Sequence, residues 1–301
     1  MRFESSFGDG RRSMSSVAER IPKSQYETAH RNLEQKKISM NDFTDLYGSE
    51  SIARDQAYVA RRQAQFKEEE TKVTPDKLTF GEIKRVSECA EDIIITGIES
   101  GWMPDTNAIK TTDFDDIANG VDFILERQKG HDPASHLGLA VDITCAKSMD
   151  EKFYRIKEGI DAGKLPSIKY FKSGPFKGQL SNVPKVVAAI DIAAVEVLTK
   201  ERARGADLSK HTVRLVLLKQ FEMQLEALTQ YTQSARPELA SHFATARETV
   251  RAMVSDLAPE MQKYAHIFGD HPTLIAMKAK LVEIFAARSG VPKTARILQS
   301  N

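Results

Sequence analysis

The spacing of hydrophobic residues changes along this chain, and each change marks a different kind of predicted element. Between residues 80 and 100, apolar side chains recur every three or four positions, which is typical of a helix with one buried face. Two short apolar runs follow, at 120–125 and 137–145, and both are bounded by Asn, Gly, Asp or Pro, as strands often are. Downstream, the same criteria predict a helix at 149–162, strands at 167–171 and 183–190, and a helix at 191–204.

The last third of the chain has helical spacing throughout. Two apolar stripes are separated by a break at Arg236-Pro237, which predicts a hairpin of two helices, and a third helix is predicted at 274–288. We interpret the stripes as core packing, with the third helix as the surface that covers them. The alternative is a surface for a partner helix or for a homo-oligomer. The stripe residues are Leu218, Phe221, Leu225, Leu228, Leu239, Phe243, Ala246, Val250, Met253 and Leu257.

The N-terminal residues are polar and lack a regular apolar period. Residues 1 to about 48 are therefore interpreted as loose or disordered, with short helices as the alternative, and a weakly docked helix is predicted at 51–70. Together these patterns predict an α/β fold in which a small mixed sheet is flanked by helices and followed by an all-helical C-terminal region. The expected division is 1–75 for the N-terminal segment, 76–205 for the α/β core and 206–301 for the helical region.

Two of the predicted strands each carry one carboxylate, at Asp122 and Asp142. A short connection containing Gly130 and Pro133 predicts that these strands are antiparallel neighbours. In an extended 137–145 segment, alternate apolar residues form a packing face, and Asp142 lies on the opposite face among small residues. Burying a carboxylate without a partner is costly, so two such strands in succession suggest a shared cation. The alternative for each Asp is a strand end bonded to a loop N–H.

Further carboxylates come from a helix and a turn. Glu91 lies at the border of the apolar stripe of the 80–100 helix, which makes it the first choice for a third ligand, with Glu88 second. An exposed helix Glu is the alternative for both. The acidic turn at 113–116 either caps a turn or forms an outer ring of ligands, and the sequence favours neither.

The order of these features resembles the core of the PD-(D/E)XK nuclease superfamily, over about residues 80–191. The resemblance rests on a helix with Glu91, a strand with Asp122, a strand with Asp142, and a further helix and strand. It implies a restriction-endonuclease-like fold and metal-dependent hydrolysis of phosphodiester bonds in DNA. It also implies that these three carboxylates hold Mg²⁺ or Mn²⁺, which prefers oxygen ligands.

The catalytic lysine of that family does not stand in its usual place in this chain. Asp142-Ile-Thr144 occupies the acidic-X-Lys element, so Thr144 replaces the lysine and would hydrogen-bond the water or a ligand carboxylate. The resemblance implies that the ammonium comes from the next helix, where Lys152 is the first candidate and Lys147 the second. If neither lysine reaches the site, the alternative is a non-catalytic structural or nucleic-acid-associated protein with a degenerate nuclease-like core.

Charge and composition narrow the choice of partner only slightly. The chain has 301 residues, 41% hydrophobic and 28% charged, with a formal net charge of +1, so any nucleic-acid contact must come from a local patch. Lys164, Lys169, Lys172 and Lys177 are predicted to follow a phosphate backbone, with an ordinary solubilising surface as the alternative. Cys89 and Cys145 have no metal-type spacing. With no bilayer-length apolar run, a cytoplasmic protein is expected.

Overall fold

The computed structural model describes residues 21–72, 79–128, 136–145, 149–174 and 176–286. Its helices, with a 3₁₀ turn at Met40–Phe43, are α1 (Lys23–Lys36), α2 (Thr44–Glu69), α3 (Phe80–Glu99), α4 (Asp113–Asn119), α5 (Met149–Asp161), α6 (Ile192–Ala203), α7 (Val213–Ala235), α8 (Pro237–Asp256), α9 (Ala258–Lys263), α10 (Ala265–Asp270) and α11 (Pro272–Phe285). Its strands are β1 (Thr106–Lys110), β2 (Phe123–Gln128), β3 (His136–Cys145), β4 (Ile168–Lys172), β5 (Lys177–Leu180) and β6 (Lys185–Ile190).

The strands form one mixed sheet and one small hairpin. The main sheet has the order β1-β2-β3-β6, with β1, β2 and β3 antiparallel and β6 parallel to β3. Because parallel neighbours need a crossover connection, α5 lies between β3 and β6 in the chain. The predicted mixed sheet and the antiparallel pairing of the two Asp-bearing segments are therefore confirmed. The connection between β2 and β3, with Gly130 and Pro133, lies outside the described residues.

Two strands, β1 and β5, were not predicted, and one residue packs on a different face from the one that strict alternation predicts. β1 has only five residues and a polar Thr-Asn start, so the sequence indicated a polar link in its place. Phe123, Leu139 and Val141 pack into the large core, as the alternation predicts, whereas Ile124 and Ala140 face the β4–β5 hairpin. Strict alternation along 120–125 predicts Val121 on the face of Phe123, but it packs with Ile124, because it precedes β2 and is not part of the extended strand.

Helix α3 crosses the large core and brings its carboxylates to one end of the sheet. Thr79 caps it, with its side chain accepting from the Glu82 N–H and the Glu82 carboxylate accepting from the Thr79 N–H. At the other end Gly97 lies against the fully buried Trp102, and a Cβ at this glycine would sit 2.3 Å from the indole ring. The Trp102 indole N–H donates to the Leu208 carbonyl, 2.7 Å away. Both ends of α3 are thus fixed.

The N-terminal helices pack against this core. Tyr26, Ala29 and Leu33 of α1 are buried, so from residue 21 onwards the interpretation of this segment as loose is wrong and the short-helix alternative is confirmed, while residues 1–20 lie outside the described residues. Helix α2 starts earlier than the sequence indicated, at Thr44, and bends at Gly48, which has a φ of 73°. Its C-terminal end meets the start of α3 and forms one wall of the cavity described below.

The C-terminal helices complete the same core. Helices α7 and α8 form the predicted hairpin with the break at Arg236, and α11 covers α7. The stripe residues from Leu218 to Met253 are buried in the core of the chain, as core packing predicts. They are therefore not accessible for self-association. Within the described ranges, no helix combines the length and apolar character needed to cross a bilayer.

Two glutamines of α7 bind the outer edge of β6. The Gln224 side chain accepts from the Val187 N–H at 2.7 Å and donates to the Val187 carbonyl at 2.8 Å. Gln220 makes the same pair of bonds with Ala189, both at 2.8 Å. A strand at the edge of a sheet otherwise leaves these backbone groups unpaired. The two amides therefore take the place of a further strand and hold β6 in position.

We expect Gln224→Leu to lower the free energy of unfolding by about 2–5 kcal/mol, because it leaves the buried N–H and C=O of Val187 without partners. Urea unfolding measures this. Gln230→Leu, on an exposed position of the same helix, is the matched control and should change stability by less than about 0.5 kcal/mol. Equal effects of the two substitutions would show that the edge contacts do not stabilise β6.

Candidate functional site

A cavity of ≈ 1290 Å³ opens at the end of the main sheet where β1 ends and β2 begins. Its walls come from α2, α3 and α4, from the strand ends, and from α5. Both acidic and basic side chains line it, which is unusual for a simple packing defect. Seven of the charged side chains that line the cavity interact with one another. They are Glu91, Asp116, Asp122, Asp142, Lys110, Lys152 and Lys185.

Asp122 and Asp142 are brought together by the pairing of β2 with β3. Phe123 pairs with Val141, so Asp122, one residue before β2, lies opposite Asp142. The Asp122 N–H donates to the Val141 carbonyl at 2.9 Å, and the Asp122 carboxylate accepts from the N–H of Ile143. Both carboxylates line the cavity. The structure therefore places these two predicted residues at one site, and one oxygen of Asp122 is bonded to a strand amide.

Two ammonium groups reach Asp142 from different elements. Lys152, in the first turns of α5, donates to Asp142 Oδ1 and also to the Ile143 carbonyl, at 2.7 Å. Lys185, the first residue of β6, lies 2.7 Å from Asp142 Oδ2 and donates to the Asn119 carbonyl at 3.1 Å. Lys152 was predicted from the sequence, whereas Lys185 was not. Asp142 is thus held between two cations.

Glu91 and Lys110 form a second buried pair next to Asp122. Lys110 Nζ lies 2.6 Å from Glu91 Oε1 and 3.5 Å from a carboxylate oxygen of Asp116. The angle at which the ammonium approaches Glu91 does not satisfy hydrogen-bond geometry, so this buried Oε1 has no hydrogen-bond donor. Glu88, the second choice on α3, faces His30 at 3.5 Å. Of the two helix carboxylates, Glu91 is therefore the one beside the strand acids.

The carboxylates of this site bind protons more tightly than exposed ones. Burial raises the pKa of Glu91 to about 8, because desolvation and the charges of Asp122 and Asp116 outweigh the attraction of Lys110. Burial also raises the pKa of Asp122 to about 6, and the charges of Asp116 and Asp142 add to this effect. The lysines present do not fully offset the crowding of negative charge.

Lys152 and Lys110 stay protonated at this site. Burial would lower the pKa of Lys152, but Asp142 and Asp122 outweigh it and raise the pKa above that of a free lysine. The same balance raises the pKa of Lys110, where Glu91, Asp116 and Asp122 are the nearby anions. An amine that stays protonated cannot accept a proton at neutral pH. Lys152 can therefore supply positive charge and hydrogen bonds but cannot act as a general base.

One further predicted residue, Thr144, does not line this cavity. Thr144 is buried in β3, and its hydroxyl donates to the Cys145 carbonyl at 3.3 Å. It is not among the cavity-lining residues, so the structure does not bring it to the carboxylates. Lys147 lies outside the described residues.

The four lysines predicted to follow a phosphate backbone do not form one stripe. Lys164 lines the cavity, but the other three pair with carboxylates of the N-terminal helical segment. Lys169 also lies 5.1 to 5.6 Å from the ring centroids of three aromatic side chains. These three lysines thus dock the N-terminal segment onto the β4–β5 hairpin. The pairs are Lys169–Asp55, Lys172–Asp42 and Lys177–Asp45.

The three aspartates of the acidic turn at 113–116 contact different partners, and the sequence alone did not predict which. Asp115 accepts from the backbone N–H groups of Lys169 and Tyr170, at 2.8 and 3.0 Å, and so anchors β4. Asp113 pairs with Lys37 at 2.7 Å. Asp113 and Asp116 both line the cavity, but Asp116 is the one that lies 3.5 Å from Lys110 and contributes to the field at the site.

The residues that sequence reasoning did not find are Lys110 and Lys185. Lys185 is a single lysine in a short apolar strand, the same signal that identified the two strand carboxylates, whereas Lys110 ends the polar strand β1, which the sequence did not indicate. Among the residues the structure describes, no three Asp, Glu, His or Cys side chains are close enough together to hold a metal ion. In comparisons with known proteins, the chain matches no protein-family model, no curated protein and no solved structure.

We expect Lys110→Met to lower the free energy of unfolding by about 1–3 kcal/mol, because Glu91 loses the ammonium 2.6 Å away and, with a pKa already raised to about 8, must then stay protonated in the folded protein. Adding Glu91→Leu should restore most of this loss, since both charges are then gone. Urea unfolding of the single and double variants measures the coupling. Lys72→Met, an exposed lysine whose side chain is 60% accessible, is the control. Additive losses in the double variant would show that the pair is not coupled.

We expect the stability of the protein to fall relative to an Asp122→Asn variant as the pH rises from about 4 to about 6. The folded protein holds the Asp122 proton more tightly than the unfolded chain, because burial raises the pKa in the folded state to about 6. Stability therefore decreases wherever the unfolded chain has lost this proton and the folded protein has not. Urea unfolding at several pH values measures the difference. A difference that does not change with pH would contradict the raised pKa.

Proposed function

We propose that this protein is a metal-dependent nuclease that hydrolyses phosphodiester bonds of DNA. The observation that supports this most directly is the meeting of Asp122, Asp142 and Lys152 at one cavity. Carboxylates from two paired strands and an ammonium from the following helix are the side chains that such hydrolysis requires. The order of elements from α3 to β6 supports the resemblance to the PD-(D/E)XK nucleases, with β1 as an additional antiparallel strand before β2.

Carboxylate oxygens are the ligand type that a hard divalent cation prefers, although the three carboxylates would have to move closer together than they lie in the described residues to hold one. Asp122 and Asp142 offer carboxylate oxygens from adjacent strands, and Glu91 offers a buried Oε1 that accepts no hydrogen bond. These three residues would hold Mg²⁺ or Mn²⁺, as the resemblance implies. When bound, the ion polarises a phosphate and lowers the pKa of a water molecule. The pKa of Asp122, raised by burial and by the neighbouring carboxylates, indicates that added positive charge would be favourable there.

Lys152 would act on the phosphate by its charge. Its amine is kept protonated by Asp142 and Asp122, so it donates hydrogen bonds and offsets negative charge that develops on the phosphate during hydrolysis. Lys185 holds the other oxygen of Asp142 and orients this carboxylate towards the cavity. Thr144 would have no direct part, since it lies inside β3. We further propose that the protein works in the cytoplasm, where the free Cys89 and Cys145 remain reduced.

One observation favours a second candidate function. Asp142 already lies between two ammonium groups, and Glu91 is close to a third. Lysines in these positions can replace a metal as the counter-charge, which favours a non-catalytic protein with a degenerate nuclease-like core. The two candidates differ in one measurable property, namely metal-dependent cleavage of DNA.

We expect the protein to cleave plasmid or oligonucleotide DNA with Mg²⁺ or Mn²⁺, and Asp142→Asn to reduce the rate at least about 100-fold. Asparagine keeps the size of Asp142 and one accepting oxygen but removes the charge and the second acceptor, since its NH₂ group can only donate. The matched control is Asp150→Asn in α5, whose exposed carboxylate pairs with Lys280 at 2.7 Å and lies outside the cavity. Gel or fluorescence assays with EDTA controls measure cleavage.

The result decides between the two candidates. Cleavage that survives in Asp142→Asn would indicate a contaminating nuclease and remove the support for this site. No cleavage by the wild-type protein with either metal, on single-stranded or duplex DNA, would favour the non-catalytic candidate. Circular dichroism shows whether each variant has folded, so that a loss of activity is not confused with a loss of structure.

A further inference from the structure

Two exposed phenylalanines lie on the wall of the same cavity. Phe66 of α2 and Phe80 of α3 have 41% and 46% of their surface accessible, although aromatic side chains are ordinarily buried when a core is available. The two helices meet there, because the Gly81 N–H donates to the Glu70 carbonyl at 3.1 Å. Phe66 lies one helical turn before Glu70, so both rings flank this junction. They form a small apolar surface on the open side of the cavity.

Positive charges border these rings. The guanidinium of Arg62 lies 4.9 Å from the centroid of the Phe66 ring. Arg62, Lys67 and Lys164 all line the cavity, and none of them forms an ion pair with a residue that the structure describes. The lysines deeper in the cavity are instead paired with carboxylates. The cavity lining therefore offers positive charge to an anionic ligand at Arg62, beside the Phe66 ring, and at Lys67 and Lys164.

We propose that this cavity binds single-stranded nucleic acid, with unpaired bases stacked on Phe66 and Phe80 and the phosphates contacted by Arg62, Lys67 and Lys164. The inference rests on the proposed nuclease function for its phosphodiester substrate and specifies the form of that substrate. Aromatic rings bordered by basic groups bind single strands of any sequence, because every base presents a flat face.

The two rings argue against a duplex as the preferred ligand. The bases of a duplex are stacked on one another and cannot reach a protein ring unless they are unpaired first. The cavity volume of ≈ 1290 Å³ also exceeds the about 300–1,000 Å³ typical of a pocket for one small molecule, as expected for a segment of a polymer. The charge balance of the whole chain gives no general attraction to duplex DNA, since its formal net charge is +1.

Fluorescence anisotropy with a labelled single-stranded oligonucleotide, and with a duplex of the same sequence, tests this at one fixed salt concentration. EDTA prevents cleavage, so binding is measured apart from catalysis. We expect tighter binding to the single strand, and a loss of about 5- to 150-fold in affinity for Phe66→Ala and for Phe80→Ala. Phe176→Ala is the control, because Phe176 is also 41% exposed but lies outside the cavity. Its affinity should not change.

Equal or tighter binding of the duplex, or unchanged affinity in both cavity variants, would overturn the inference. The two proposals fail separately. Ring-dependent binding of single strands without cleavage would support this inference and contradict the nuclease function. Cleavage that depends on Asp142, with binding that does not depend on the rings, would support the nuclease function and contradict this inference. Since both rings are exposed, thermal unfolding should show that all three variants remain folded.

Discussion

The cost of burying charge governs the end of the sheet where β1 and β2 meet. Four carboxylates and three ammonium groups lie around one cavity, so the anions exceed the cations by one. An ion buried without a partner would cost several kcal/mol, which explains why each lysine faces a carboxylate. The pairing is incomplete, since burial and neighbouring charges still raise the pKa of Glu91 and Asp122. Such an arrangement is stable only if the strands and helices that carry these groups cannot separate.

The rest of the fold provides that rigidity. β6 carries Lys185 and is an edge strand of the sheet, and Gln220 and Gln224 of α7 occupy its outer edge. The C-terminal helices therefore position one of the site lysines, although none of their residues is among the seven charged groups. Gly120, just before Asp122, adds a local constraint. Its φ is 59°, and a Cβ there would sit 3.1 Å from Lys185 Nζ, so a larger residue would crowd the ammonium.

The sequence predicted those parts of the structure whose pattern is local. An element that buries only one face has apolar residues at regular intervals along the sequence. This spacing predicted the apolar stripe of α3, the alternation in β3 and the αα-hairpin. The Lys152 contact was predicted from the resemblance and from the position of this lysine early in α5. β1, the docking of α1, and the lysine–carboxylate pairs of the β4–β5 hairpin were not predicted. They depend on partners distant in the chain: Lys172 and Asp42, for example, are 130 positions apart.

The position of Lys152 shows why an ammonium can be supplied from a helix when the strand position is occupied by threonine. Thr144 lies on the same strand as Asp142, but its side chain is buried and bonded to a backbone carbonyl. A lysine early in α5 has a longer side chain, which returns to both the Asp142 carboxylate and the Ile143 carbonyl. The attraction between an ammonium and a carboxylate depends on their separation, whichever element carries the lysine. What matters is that the amine is held within contact distance of the carboxylate, and the two hydrogen bonds of Lys152 satisfy this condition.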